Sequence, residues 1–234
     1  MRSELFSAES AEPSGSWEVH RGKMLRVVVD PSAPLRAAKG AMVAYQGHVD
    51  FTHHSGGGGL KGMVKRAVSS DNTPLMEVAG QAEVFLASQA ADVHILYLEG
   101  DSVCVNGRSL LAFEHTLSYD LRVNKGAGFV SGGLWSTFLE GTGRVAVLTE
   151  GAPLLLDTSQ VPTFTDTDAT VAWAGHMAPG VKSSMNMSSM LRGGTGEAFQ
   201  YAFSEPGWVL VQPSEGPQPP PASNRSNSAL INFG

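Results

Sequence analysis

Residues 56–62 form a glycine run that is the part of this sequence closest to a phosphate-binding loop. A Walker loop places four residues between two glycines and continues with Lys and then Ser or Thr, so that backbone N–H groups and the lysine hold the phosphates. Gly57 and Gly62 have this spacing, but Met63 and Val64 stand where Lys and the hydroxyl are needed. We therefore interpret the run as a flexible connection and not as a nucleotide site.

A short amphipathic helix is predicted directly after this run. It combines apolar and cationic side chains, and its candidate contact residues are Leu60, Lys61, Met63, Lys65 and Arg66. A basic amphipathic helix can dock on a membrane surface or on a partner protein. At this length a helix more often packs on its own sheet, so that alternative stays beside the membrane and partner hypotheses.

The histidines do not form a recognisable metal-binding pattern. His53 and His54 are adjacent, and adjacent residues of a strand point to opposite faces. His94 is distant in sequence, and there is no Cys pair, His-x-x-x-His helix or carboxylate cluster at ligand spacing. We expect no metal and no other cofactor.

The other reactive side chains predict no catalytic site. Cys104 is the single cysteine and has no basic neighbour in sequence before Arg108, so nothing local would lower its pKa. The corners 114–115 and 166–168 contain acidic residues and threonine, which are favoured in turns. A hydrolytic site needs a nucleophile and an oriented base. We find no such arrangement and predict that the protein is not an enzyme.

The elements that would position any site are predicted to be β-strands, because apolar and polar residues alternate at 93–97, 117–123 and 145–147. Asn106-Gly107 predicts a tight hairpin turn with positive φ angles. We interpret Gly47, Gly100, Gly141 and Gly207 as residues that separate consecutive strands. One or two short helices are expected in insertions at 55–70 and 177–195.

Three segments of the chain repeat one order of features. Each has a glycine before a first strand, a short second strand, a third strand that ends in an aromatic residue, and a closing strand. The first strands are aligned at Val27, Val105 and Leu156, the aromatic residues at Tyr45, Tyr119 and Trp173, and the closing strands at Val84, Val145 and Val209. A fixed order in three copies indicates an internal repeat.

The repeat predicts three β units at 17–90, 91–148 and 149–215. They follow a flexible N-terminus at 1–16 and precede a tail at 216–234 that is rich in Pro, Ser and Asn. Such a tail cannot bury enough apolar surface to become ordered.

The composition narrows the class of protein. The chain has 234 residues, of which 16% are charged, and a formal net charge of −6. An acidic chain with few cationic clusters predicts no DNA binding, and no RNA binding tighter than about micromolar at physiological salt. No apolar stretch reaches the roughly 18 residues of a membrane-spanning helix, and the N-terminus has no secretory apolar region. A cytoplasmic location is expected.

Several motifs resemble those of the bacterial branch of the altered-inheritance-of-mitochondria twenty-four family. They are residues 42–47, 58–61, 91–94, 110–113, 166–173 and 196–199, together with the Val-Gln-Pro-Ser-Glu ending at 211–215. The resemblance covers about residues 17–215. It implies a fold similar to the tryptophan RNA-binding attenuation protein, with three tandem β-sandwich or double-stranded β-helix units in one chain. It also implies a homotrimer, and it carries over no catalytic residues.

These observations favour a non-enzymatic structural or interaction protein that forms a ring. A binding module for a small ligand or RNA is the first alternative, by analogy of fold alone. A scaffold associated with a membrane surface is the second.

Overall fold

The structure is a computed structural model that describes residues 15–53, 75–123, 135–183 and 199–215. Within these ranges the regular elements are all strands, which confirms the all-β prediction. In chain order they are β1 (Trp17–His20), β2 (Met24–Val29), β3 (Leu35–Ala38), β4 (Met42–His53), β5 (Leu75–Leu86), β6 (Asp92–Asn106), β7 (Leu110–Glu114), β8 (Ser118–Val123), β9 (Trp135–Thr149), β10 (Leu154–Asp157), β11 (Thr163–Asp166), β12 (Thr170–Ala174), β13 (Gly180–Ser183), β14 (Phe199–Phe203) and β15 (Trp208–Val211).

The predicted helices, the N-terminal segment and the tail lie wholly or mainly outside the described residues. The helix expected after the glycine run falls at 54–74, and the methionine-rich insertion falls mostly at 184–198. Their conformations stay predictions.

The strands form two antiparallel sheets. Twelve strands belong to one sheet, with the path β1-β2-β5-β3-β7-β9-β6-β12-β15-β10, while β4 pairs with β5 and β8 pairs with β9. The second sheet has the order β11-β14-β13. The long strands β5 and β9 therefore organise the first two thirds of the chain, and β14 with β15 organises the last third.

Glycines bend the long strands from within. Gly47, Gly100 and Gly141 have positive φ angles and lie inside β4, β6 and β9. The prediction that these three separate strands is therefore wrong, because a glycine with positive φ can also turn a strand without ending it. The bend in β4 faces another at Gly80, where an added Cβ would lie 2.3 Å from the carbonyl oxygen of His48.

The predicted hairpin at Asn106-Gly107 is also corrected. A turn is present, since the N–H of Ser109 donates to the carbonyl of Asn106 at 2.9 Å. The described residues with positive φ include neither Asn106 nor Gly107. The flanking strands do not pair with each other, because β6 pairs with β9 and β12 while β7 pairs with β3 and β9.

The register of the sheet changes the predicted alignment of the middle segment. Val27 and Leu156 lie opposite Val84 and Val209, but the residue of β6 opposite Val145 is Leu96 and not Val105. The aromatic residue opposite Val145 is Phe113 and not Tyr119. Strand β6 continues across Gly100 and is apolar on both sides of it. The sequence therefore offers two equally apolar halves of β6 as the first strand of this segment.

Three apolar clusters form the core, and each contains residues from more than one third of the chain. The first surrounds Val84 and includes Ala146 and Leu148 from β9. The second surrounds Val145 and includes Val171 and Ala172 from β12. The third brings Cys104 against Trp173 and Val209. Neighbouring thirds of the chain therefore complete each other's cores.

Candidate functional site: two open sheet edges

The predicted partner or membrane contact at Leu60, Lys61, Met63, Lys65 and Arg66 lies outside the described residues, as does His54. His94 is described, and its Nε2 lies 2.9 Å from the hydroxyl of Thr149. In the described part of the chain, no group of three or more His, Cys, Asp or Glu side chains is arranged to hold a metal ion. A search of the same residues finds no helix with the length and apolar character needed to cross a membrane.

Cys104 is buried, and burial raises the pKa of its thiol above the ordinary 9.0. The guanidinium of Arg122 acts in the opposite direction, since its Nη1 lies 3.7 Å from the sulfur. Sequence neighbours do not show this contact, because Arg122 comes from a different strand. The thiol is held in its neutral form, which is poorly nucleophilic.

The acidic corners stabilise backbone turns. The carboxylate of Asp166 accepts hydrogen bonds from the N–H groups of Asp168 at 2.7 Å and Ala169 at 3.1 Å. The carboxylate of Glu114 accepts from the N–H of Arg144 at 2.9 Å. The Asp166 bonds confirm that the second corner is a turn, while the Glu114 carboxylate ties the first corner to the neighbouring strand β9. The turn at the first corner is closed by the N–H of Leu117, which donates to the carbonyl of Glu114 at 3.1 Å.

One edge of the large sheet is open along β4. Among the described strands it pairs only with β5, and residues 42–48 are all exposed. Val43 is 56% exposed and Tyr45 is 47% exposed, although both are residue types that favour buried strands. The ring of Tyr45 packs edge-on against Phe51, with ring centroids 5.6 Å apart. The edge therefore presents unpaired backbone groups beside an aromatic pair.

A second open edge lies along β11 in the last third of the chain. Within the described part of the chain this strand pairs only with β14. Phe164 is 50% exposed, and Val161, just before the strand, is 62% exposed. The ammonium of Lys182 lies 4.5 Å from the centroid of the Phe164 ring and covers one face of that ring. The opposite face has no contact with Lys182.

Two strand pairs inside the chain show how such edges are covered. At the first, β3 pairs with β7, and Arg36 lies opposite Phe113. Phe113 is fully buried and packs against Tyr119 at 5.4 Å between centroids. The guanidinium of Arg36 lies 5.2 Å from the Tyr119 ring. Burial raises the pKa of the Tyr119 hydroxyl, while Arg36 lowers it by a smaller amount.

At the second internal junction β6 pairs with β12, and Cys104 lies opposite Trp173. Trp173 is only 1% exposed. Arg122 closes the side of this junction, since its Nη1 donates to the carbonyl of Gly175 at 3.1 Å and its guanidinium lies 3.5 Å from the Phe138 ring centroid. Both junctions thus bury an aromatic residue between two strands.

The site that sequence reasoning missed is therefore a pair of strand edges. Tyr45 was identified as the end of a strand, and Phe164 was not singled out. The available signal was the uninterrupted apolar run at 42–45, which has no polar face to turn towards water. Edges with unpaired N–H and C=O groups recruit other strands, so the arrangement is suited to protein association.

Comparison with known proteins gives one family and a shared fold. Residues 17–214 match the family model described as "Mitochondrial biogenesis AIM24". No curated protein matches the sequence. The structure is similar to a crystal structure of a Streptococcus pyogenes protein, with a TM-score of 0.67 and 18% sequence identity over 84% of this chain and 91% of that one.

Proposed function

We propose that this chain, which belongs to the mitochondrial biogenesis AIM24 family, is a non-enzymatic structural or interaction protein that assembles head to tail into a ring. The observation that carries the proposal is that β4 and β11, two of the six described strands with a single partner strand, are unlike edges and both expose an aromatic ring. One lies in the first third of the chain and the other in the last third. Each exposes aromatic and aliphatic side chains that are costly to leave in water.

The proposal includes three tandem β units, at 17–90, 91–148 and 149–215, of the kind found in the tryptophan RNA-binding attenuation protein. A shared irregularity supports it. The pairing register shifts between Met42 and Ala44, between Leu110 and Ala112, and between Thr170 and Ala172. In each case an aromatic residue follows the shift and lies opposite a buried valine of the closing strand. Bulges are positional features of a fold, so three at matching places favour a repeated unit.

Head-to-tail assembly follows from the asymmetry of the two edges. A contact between unlike edges is heterologous, and it generates either a closed ring or an open filament. The ring is the part of the proposal that comes from the family resemblance. The family resemblance supplies three as the number of chains.

Light scattering coupled to size exclusion tests this proposal. The expected mass is three times that of the 24.6 kDa chain. A mass of one chain at micromolar concentration would contradict assembly altogether. A mass that keeps rising with concentration would show that the contact does not close. Native mass spectrometry of the same sample reports any small ligand or RNA that remains bound, which would favour the binding-module alternative.

A further inference from the structure

From the strand registers we infer that β11 of one copy pairs antiparallel with β4 of the next copy, with Phe164 opposite Tyr45. The inference rests on the proposed assembly and adds the residues that make the contact. It requires no rearrangement of the fold, because both strands are already formed and each lacks a neighbour on one side.

The position of Tyr45 in the sheet matches that of two buried residues. Tyr45 lies opposite Val84, Phe113 lies opposite Val145, and Trp173 lies opposite Val209. All three of these valines are fully buried. Phe113 and Trp173 are covered by a strand on their other side, whereas Tyr45 is not. The edge at β4 thus has the same arrangement as the two internal junctions, except that the covering strand is absent among the described residues.

The position of Phe164 matches the strands that do the covering. Thr163 lies opposite Phe203 of β14, six residues before Val209, as Leu35 lies opposite Val78 and Val103 lies opposite Leu139, each six residues before the closing valine. The next residue is Phe164 in β11, Arg36 in β3 and Cys104 in β6. Arg36 faces Phe113 and Cys104 faces Trp173. By the same register, Phe164 faces Tyr45.

The side chains agree with this register. Tyr45 packs on Phe51 at 5.6 Å, as Phe113 packs on Tyr119 at 5.4 Å. At the internal junction Arg36 covers the second ring of that pair. Phe164 of the neighbouring copy would take the place of Arg36 and add a third ring to the cluster. Aromatic and β-branched pairs across strands are the contacts that stabilise a sheet.

The pairing is not formed within the described part of one chain. There β4 pairs only with β5 and β11 pairs only with β14, and the two strands belong to different sheets. The occupant of each edge is therefore the complementary edge of a second copy.

Engineered disulfides test the register. It places Gln46 opposite Thr163, and residues directly opposite in an antiparallel pair have Cα atoms about 4.5–5.5 Å apart, within the range of a disulfide. The double variant Gln46→Cys, Thr163→Cys keeps both aromatic rings. After mild oxidation it should give a ladder of covalently joined chains on non-reducing denaturing gels, which ends at the mass of the ring and collapses to the single chain when reductant is added.

The matched control is Ala44→Cys with Thr163→Cys, which also keeps both aromatic rings. These residues are two positions out of register, with Cα atoms about 7–8 Å apart and beyond the reach of a disulfide, and we expect no ladder. Each single variant should also give none. The native Cys104 is buried and common to all variants.

The outcomes separate the register from the assembly. A ladder in the first variant alone supports the inference. If light scattering shows an oligomer but the control forms the ladder, or no variant does, the register is wrong and the proposed assembly stands. A wild-type protein that is monomeric overturns both.

Discussion

The paired strands β4 and β5 approach each other so closely at Gly80 that we expect any larger residue there to destabilise the fold. Gly80 has a φ of +139°, and an added Cβ would lie 2.3 Å from the carbonyl oxygen of His48 and 2.9 Å from the Cα of Val49. These are backbone atoms of a paired strand, so they can move only if the two strands separate. We therefore predict that Gly80→Ala is strongly destabilising.

The magnitude follows from two separate costs. A non-glycine residue at positive φ costs about 1–2 kcal/mol. Forcing extra volume into a packed contact costs roughly 1–3 kcal/mol more. Gly80→Ala should therefore lower the free energy of unfolding by about 2–5 kcal/mol. For a chain of this size, each kcal/mol lowers Tm by roughly 2–4 °C.

Gly40 provides the matched control. It has a φ of +82°, but nothing lies within 4 Å of an added Cβ. Gly40→Ala should therefore show the conformational cost alone, about 1–2 kcal/mol. Urea unfolding of the two variants beside the wild type measures the difference. If Gly80→Ala is no more destabilising than Gly40→Ala, the close approach of β4 and β5 has been described wrongly.

Three further predictions concern other parts of the molecule. Asn106→Ala removes a buried amide that donates to the carbonyls of Thr167 and Thr170, both at 3.0 Å. Urea unfolding should show that the free energy of unfolding falls by about 2–3 kcal/mol. A fall under about 0.5 kcal/mol, the level of an ordinary surface substitution, would mean that water replaces both bonds. Burial raises the pKa of Cys104 above 9.0. The stability that its neutral thiol contributes is therefore present below that pH and is lost as pH rises through the raised value. Urea unfolding should show a free energy of unfolding that falls at alkaline pH, and that falls less in Cys104→Ala. Parallel pH dependences for the two proteins would refute this. Filter binding should detect no RNA complex tighter than about micromolar at physiological salt, and a tight complex that weakens steeply with salt would overturn the prediction.

The sequence predicted the strands well where both their faces and their ends are marked. In β8 apolar and polar residues alternate, and the structure places a strand at Ser118–Val123. The all-β class and the family follow from such local patterns. They require no knowledge of which strand lies beside which.

The errors arise where the answer depends on a neighbour in space. A glycine with positive φ can end a strand or bend it, and only the partner strand decides which occurs at Gly100. Tyr45 and Phe113 look alike in sequence, but one is exposed because no strand covers it. The contact between Arg122 and Cys104 joins different strands and leaves no trace in either local sequence. The candidate site was missed for the same reason, since an edge is defined by the absence of a neighbour.

Because each core cluster combines residues from different thirds of the chain, the parts of the fold are completed in a fixed order during synthesis. The cluster that holds β4 in place includes Ala146 and Leu148, so this edge is complete only after residue 148 has left the ribosome. The complementary strand β11 pairs with β14, which ends at Phe203. At the usual rate of about 5–20 residues per second, these events are separated by roughly 3–11 seconds. During that interval a growing chain carries a finished β4 and no β11 of its own. If copies assemble through the proposed contact between β4 and β11, a copy already released can dock on the unfinished chain before its synthesis ends.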